Sequence, residues 1–199
     1  MTDINEYAYE ALMLRFGQGD TAAFETLYAR HKGPLIRYFR RQSAEAHAEE
    51  LFQEVWMRVI KARGNYTVDA KFTTWLYRIA HNRLVDHYRA SDRRMEQSLD
   101  ALEYGTGAGE PRALGHSCLL ADAPSARTDE VAFRRQQLEA FRAALDALPA
   151  DQREAFILRE DGGLNLDEIA QTTGVGRETV KSRLRYAVSR LRKTLEHWS

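Results

Sequence analysis

Residues 164–195, LNLDEIAQTTGVGRETVKSRLRYAVSRLRKTL, constrain the fold of this chain most, because they spell a helix start, a stop and a second start within one short stretch. Asn165 and Glu168 stand at capping-box spacing, where the Asn side chain accepts an amide of the first turn and the Glu returns to the cap amide. Leu166, Ile169 and Ala170 give the first helix its apolar side, and Gly174 suits the left-handed position that reverses a chain after a helix. A second helix, Arg177 to Leu195, then puts Val180, Leu184, Val188, Leu191 and Leu195 on one face. The pattern predicts a helix-turn-helix.

Charge sharpens that reading. The whole chain has a formal net charge of zero, which argues against an anionic partner until the charges are placed by segment. Residues 1–94 carry 15 basic against 12 acidic residues, and residues 131–199 carry 12 against 10. Residues 95–130 carry 2 against 7, so an acidic middle conceals two mildly basic ends. Within Arg177 to Lys193 there are seven basic residues and one acid, Glu178. A helix-turn-helix inserts the N-terminal part of its second helix into the major groove. Here that part is GRETVKSRLR, whose Arg and Lys donate to guanine edges and whose Ser and Thr reach bases or phosphates. The competing reading is a solvated basic face, and the capped turn beside it weighs against that.

The rest of the chain also reads as helix. Residues 21–42 follow the cap Asp20, with Gly33-Pro34 expected to kink or divide the segment; residues 44–63 follow the cap Ser43. Asp69 is the expected cap of a helix running to about Arg89. Periodicity then disappears into YGTGAGEPRALGHSCLLADAPSAR and returns at Val131, Phe133, Leu138, Phe141, Leu145 and Leu148, with a break at Pro149. No alternation supports a sheet. The expected fold is all-α: a helical bundle over 1–94, a flexible acidic linker over 95–130, and a helix-turn-helix domain over 131–199.

In the first domain, FTTWLYRIAHNRLVDHYR interleaves Phe72, Trp75, Tyr77, His87 and Tyr88 with Arg78, Arg83 and Arg89. Aromatics beside cations suit unstacked bases, the rings stacking and the guanidinium groups holding phosphates. Trp75, Leu76, Ile79 and Leu84 also read as plain core, which makes the polar positions His81 and Asn82 better candidates for a base edge.

Other classes find little support. There is no Gly-rich phosphate loop, no G-x-S-x-G and no H-E-x-x-H, so no catalytic site and no cofactor is expected. One cysteine, Cys118, excludes an internal disulfide, and with His116 it supplies too few ligands for a closed metal site. The N-terminal sequence lacks a basic start followed by an unbroken apolar run, and no stretch approaches 18 apolar residues. A cytoplasmic protein with no membrane insertion is expected. A stand-alone helix-turn-helix regulator is the main competing class, but it leaves the first domain without a role.

With these segments in order, the chain resembles the extracytoplasmic-function (ECF) sigma factors of bacterial RNA polymerase over residues 10–94 and 131–196. The resemblance rests on AAFETLYARHKGPL, AEELFQEVWMRVIKA, FTTWLYRIAHNRLVDHYR, LDALPADQREAFILRE and LDEIAQTTGVGRETVKSRLRYAVSRLRK. It implies a sigma-2-like first domain whose Glu50, Gln53 and Glu54 dock on the beta-prime clamp helices of the core polymerase. It also implies a −10 surface at Phe72, Trp75, Arg78, His81, Asn82, Arg83 and Arg89, with the loop before Phe72 near a flipped base. The second domain would be sigma-4-like, reading the −35 element of promoter DNA through Arg177, Glu178, Thr179, Lys181, Ser182 and Arg185 and touching the beta flap. An anti-sigma factor is the further partner implied. The acidic linker is longer than the family's usual pattern; its charges are expected to limit non-specific DNA binding or to resemble the RNA that displaces it.

Overall fold

Local sequence decides most helix starts in the computed structural model, which describes residues 7–42, 45–102 and 128–196. Asp20 caps α2 (Thr21–Gln42) as expected, its Oδ1 accepting from the Ala23 amide at 3.2 Å while Arg15 donates to its other oxygen at 2.9 Å. Gly33-Pro34 does not divide that helix. It runs unbroken through Pro34, held by a core row of Leu27, Leu35, Tyr38 and Phe39. Ahead of it lies α1 (Tyr7–Gly17), which buries Met13 and Phe16. Its end abuts a 3₁₀ turn at Arg63–Asn65 so closely that a Cβ on Gly17 would stand 2.6 Å from the Arg63 carbonyl oxygen.

Two expected boundaries move. The helix α3 (Glu45–Ala62) has its expected extent, although Ser43 lies outside the described residues. Asp69, however, does not cap α4 (Phe72–Leu102): it accepts instead from the Thr67 hydroxyl at 2.6 Å, and the Phe72 amide donates to Glu10 of α1. The cap is supplied from across the domain. At its other end α4 continues past Arg89 to Leu102, because no Gly or Pro intervenes to stop it. The domain boundary expected at residue 95 therefore falls inside this helix. Most of the expected acidic linker, with His116 and Cys118, lies outside the described residues.

In the C-terminal half, α5 (Thr128–Asp146) stops before Pro149 and α6 (Ala150–Glu160) begins directly after it, where a fixed φ near −52° suits a helix start. The helix α7 (Leu166–Thr173) carries the full capping box: Asn165 Oδ1 accepts from Glu168 N at 3.0 Å, and Glu168 Oε2 accepts from Asn165 N at 2.8 Å. Gly174 closes it with φ 69°, as a left-handed terminator. Then α8 (Arg177–Leu195) packs through Val180, Leu184, Ala187 and Leu191. Val188, expected on that face, is 43% exposed; the 180, 184, 187, 191 series puts the wholly buried Ala187 on the packed face instead.

The described residues contain helix and no strand. The first four helices enclose one part of the apolar core and the last four another, and the two parts join where α2 meets α6 and α4 meets α7. Among the described residues, no helix is long and apolar enough to cross a membrane.

Candidate nucleic-acid interface

The turn between α7 and α8 fixes the direction of the second helix, and its first two turns emerge into solvent. Arg177, Glu178, Thr179, Lys181 and Arg185 are exposed there, with Ser182 half-buried beside them. Val180 anchors the group from below, wholly buried. Arg177 Nε lies 3.0 Å from Asp167 Oδ1, and Lys181 Nζ lies 3.5 Å from Glu178 Oε2. Both pairs are exposed, and such pairs stabilise by only about 0–1 kcal/mol, so a phosphate can displace the carboxylates at little cost. Arg185 rests over the Tyr186 ring at 5.0 Å, a cation–π contact on the exposed face of the helix. Gly176 at the helix start makes no side-chain cap bond, which leaves the first amides of α8 to an incoming anion. Arg183 is the exception to the basic surface: it is half-buried and donates to Asp151 of α6, tying the helix to its own domain.

The residues expected on the −10 surface separate into four groups. Phe72 is wholly buried among Tyr9, His31, Tyr66 and Trp75, so it belongs to the core and not to a stacking surface. Arg83 is turned toward α3 and donates through Nε to Glu54 Oε2 at 2.7 Å. That joins two residues expected to serve different partners. Asn82 and Arg89 are exposed on one side of α4. Trp75, Arg78 and His81 line the side that faces α6 and α7, with His81 Nδ1 2.7 Å from Glu154 Oε1. On α3, Glu50 and Gln53 are exposed and Glu54 half-buried.

Sequence reasoning singled out the loop before Phe72 without naming its residues. Asn65, Tyr66, Thr67 and Asp69 of that loop, with Trp75 and Arg78 of α4 and Gln171 of α7, enclose a cavity of about 210 Å³. The Tyr66 hydroxyl is buried at this cavity and has no hydrogen-bond partner among the described residues. Burial, with Glu10 and Asp69 adding to it, pushes that phenol up to about 12, so it stays a neutral donor. Also missed were Tyr38 and Glu154, which meet at 2.5 Å across the two halves of the chain. Burial first, and then Glu154, drives the Tyr38 phenol well above its ordinary range. A buried Tyr and Glu 116 positions apart leave no periodic signal. Among the described residues, no group of three or more His, Cys, Asp or Glu is placed to hold a metal.

Comparison with known proteins agrees with this geometry. Residues 27–94 match the model of Sigma-70 region 2, and residues 144–193 match that of Sigma-70, region 4. The RNA polymerase sigma-H factor of Pseudomonas aeruginosa is 30% identical over 192 residues, which cover 94% of this chain and 93% of that protein. The ECF RNA polymerase sigma-E factor of Escherichia coli K12 is 28% identical over 179 residues, 88% of this chain and 87% of that one. Among solved structures, the sigma factor RpoE in complex with the anti-sigma factor NepR from Bartonella quintana has a TM-score of 0.65 at 24% identity, over 87% of this chain and 96% of that chain. CnrH in complex with the cytosolic domain of CnrY has a TM-score of 0.64 at 22% identity, over 96% and 99%. These two share the fold.

Proposed function

Since the chain belongs to the ECF sigma factors of RNA polymerase and directs promoter-specific transcription initiation, we propose how its residues divide that work. Arg177, Glu178, Thr179, Lys181, Ser182 and Arg185 read the −35 element as duplex. The exposed, basic, uncapped start of α8 is the observation that carries this assignment. Each bidentate base contact made there discriminates by about 1–3 kcal/mol, while the remaining cations set register on the phosphates.

The −10 element is taken as a single strand by the first domain. Trp75 supplies a ring to stack on, Arg78 and Arg89 hold the backbone, and Asn82 and His81 offer polar groups to base edges. The 210 Å³ cavity beside Trp75, with its unpartnered Tyr66 hydroxyl, is the place for a base turned out of the helix. Strand opening is driven by that capture: every base held stacked off the duplex offsets part of the cost of unpairing it. Phe72 supports this face from within, and Arg83 fixes α4 against α3. Glu50 and Gln53 meet the beta-prime clamp helices, and Glu54 positions that surface through Arg83.

Phosphodiester synthesis belongs to the polymerase, and this chain contributes binding energy, acting in the cytoplasm. An anti-sigma factor is its expected regulator, since both solved relatives above are bound to another protein, one of them an anti-sigma factor by name. The test is run-off transcription by purified core polymerase on fragmented bacterial genomic DNA, with sequencing of RNA 5′ ends. Starts that depend on this protein and share two upstream elements are expected. If no such starts appear and the chain does not bind core, the assignment fails.

A further inference from the structure

The solvent side of α3 carries a methionine. Glu50, Gln53, Glu54, Met57 and Lys61 follow one another at helical spacing and share a face, opposite the Leu51, Val55 and Val59 that the helix buries. Met57 stands inside this row, one turn after Gln53 and Glu54 and one turn before Lys61. Its side chain is 52% exposed and takes no part in the packed core. Glu50, Gln53 and Lys61 are exposed around it, while Glu54 is held toward α4 by Arg83. An apolar side chain ringed by polar ones is the pattern of an anchor in a protein interface, where methionine is enriched and the ring excludes water once a partner is seated. The thioether is also open to oxidants, whereas that of Met13 is wholly buried. The side chains of Met1 and Met95 lie outside the described residues.

We propose that Met57 is a modification site: a hydroperoxide converts its thioether to the sulfoxide in the free chain, and the sulfoxide weakens docking on the core polymerase. This rests on the assignment of Glu50, Gln53 and Glu54 to the beta-prime clamp helices. In the reaction the sulfur lone pair attacks one peroxide oxygen, an S–O bond forms and the O–O bond breaks. The oxygen that leaves takes up a proton and departs as water or an alcohol. Sulfur loses two electrons and the peroxide gains them, so no further reactant is needed. The product puts a polar, chiral group where a flexible apolar one stood. In the free chain that costs little, because water solvates the new oxygen. Beneath a docked partner the oxygen loses that water, and a buried acceptor without a donor is costly. The change therefore falls on the complex and not on the fold, since Met57 packs on nothing in the core. Docking in turn shelters the sulfur, so oxidation acts on chains waiting for core and spares those already engaged. A thiol-dependent sulfoxide reductase reverses the step, two thiols becoming a disulfide as the oxygen leaves in water.

The test treats the full chain with hydrogen peroxide, removes the peroxide, reads Met57 sulfoxide by mass spectrometry and compares affinity for purified core polymerase before and after. The affinity of the wild-type chain is expected to fall about tenfold, the effect of disturbing an interface anchor, with the melting temperature in place. Methionine sulfoxide reductase with dithiothreitol should restore it. Met57→Leu should show the same core affinity with and without peroxide treatment, and Met57→Gln, polar without any oxidant, should bind core about tenfold more weakly than Met57→Leu. In the preformed complex with core, Met57 should oxidise several-fold more slowly than in the free chain. Unchanged core affinity of the oxidised chain overturns the proposal, as does an equal loss in Met57→Leu, which would trace the effect to another methionine. Equal oxidation of Met57 in the free and core-bound chain overturns it too, because the sulfur would then lie outside the interface. So does a fall in melting temperature, because binding would then be lost through unfolding. Failure of the docking assignment shows separately, as undiminished core affinity of Glu50→Lys with Gln53→Ala in the absence of peroxide.

Discussion

The two DNA-reading surfaces are built in different ways. The α7–α8 surface is made from 30 consecutive residues, Leu166 to Leu195, with its cap, its terminator and its side chains all local. The α4 surface is assembled from distance: Glu10 caps its helix, residues 65–69 wall its cavity, Glu54 fixes Arg83, and Gln171 and Glu154 cover it. A surface made locally can be presented without regard to the rest of the chain. One made from several elements can be covered, opened or reshaped by moving any of them, which suits a site that captures bases only after a duplex has been disturbed.

Core substitutions separate the two most strongly. Leu35→Ala and Ile169→Ala each delete a wholly buried side chain, one in α2 of the first domain and one in α7 of the second, and each is expected to cost about 2–5 kcal/mol in denaturant unfolding. The comparison breaks if Leu35→Ala impairs binding to a −35 duplex as much as Ile169→Ala does.

Acid should act on the first domain through His31. Burial, with Arg30 adding to it, lowers His31 to about 4, from an ordinary value near 6.5. The unfolded chain therefore takes up a proton between those values and the native chain does not, so stability is lost as pH falls from about 6.5 toward 4, by up to about 3 kcal/mol. Thermal melts of His31→Phe should lose most of that dependence. An unchanged slope would place its source elsewhere.

Next in size, Arg185→Ala should weaken −35 duplex binding by about 1–3 kcal/mol and leave the melting temperature in place. Arg78→Ala should leave −35 binding alone and slow strand opening, read as fluorescence of 2-aminopurine placed in the −10 element. An equal effect of both variants on both readouts would dissolve the distinction. Smallest is Asn165→Ala, which removes the accepting half of the capping box and should cost about 1 kcal/mol in stability. A loss well above 2 kcal/mol would mean that Asn165 does more than cap α7.

This division also explains what could be read from the sequence. The capping box, the left-handed Gly174 and the helix break at Pro149 are local chemistry, and each stands where the residues put it. Reading failed where a partner far along the chain decides the outcome. Asp69 has the composition of a cap, but Glu10 reaches the Phe72 amide instead. Phe72 has the composition of a stacking ring, but Tyr9, His31 and Tyr66 enclose it. Val188 stands at helical spacing from Leu184 and Leu191, yet Ala187, wholly buried, takes the place on the packed face. The helix α1 went unread, although Tyr9, Leu12, Met13 and Phe16 stand at the helical spacing that marks it.

Photo-crosslinking in the assembled initiation complex tests the central claim most directly. A benzophenone side chain placed at Lys181 or at Arg78 would be irradiated on a promoter found by run-off transcription, and the crosslinked nucleotides mapped. Position 181 is expected to mark the duplex upstream element, and position 78 the unpaired strand of the downstream one. Crosslinks from both positions to the same element, or from position 78 to duplex only, would contradict the account.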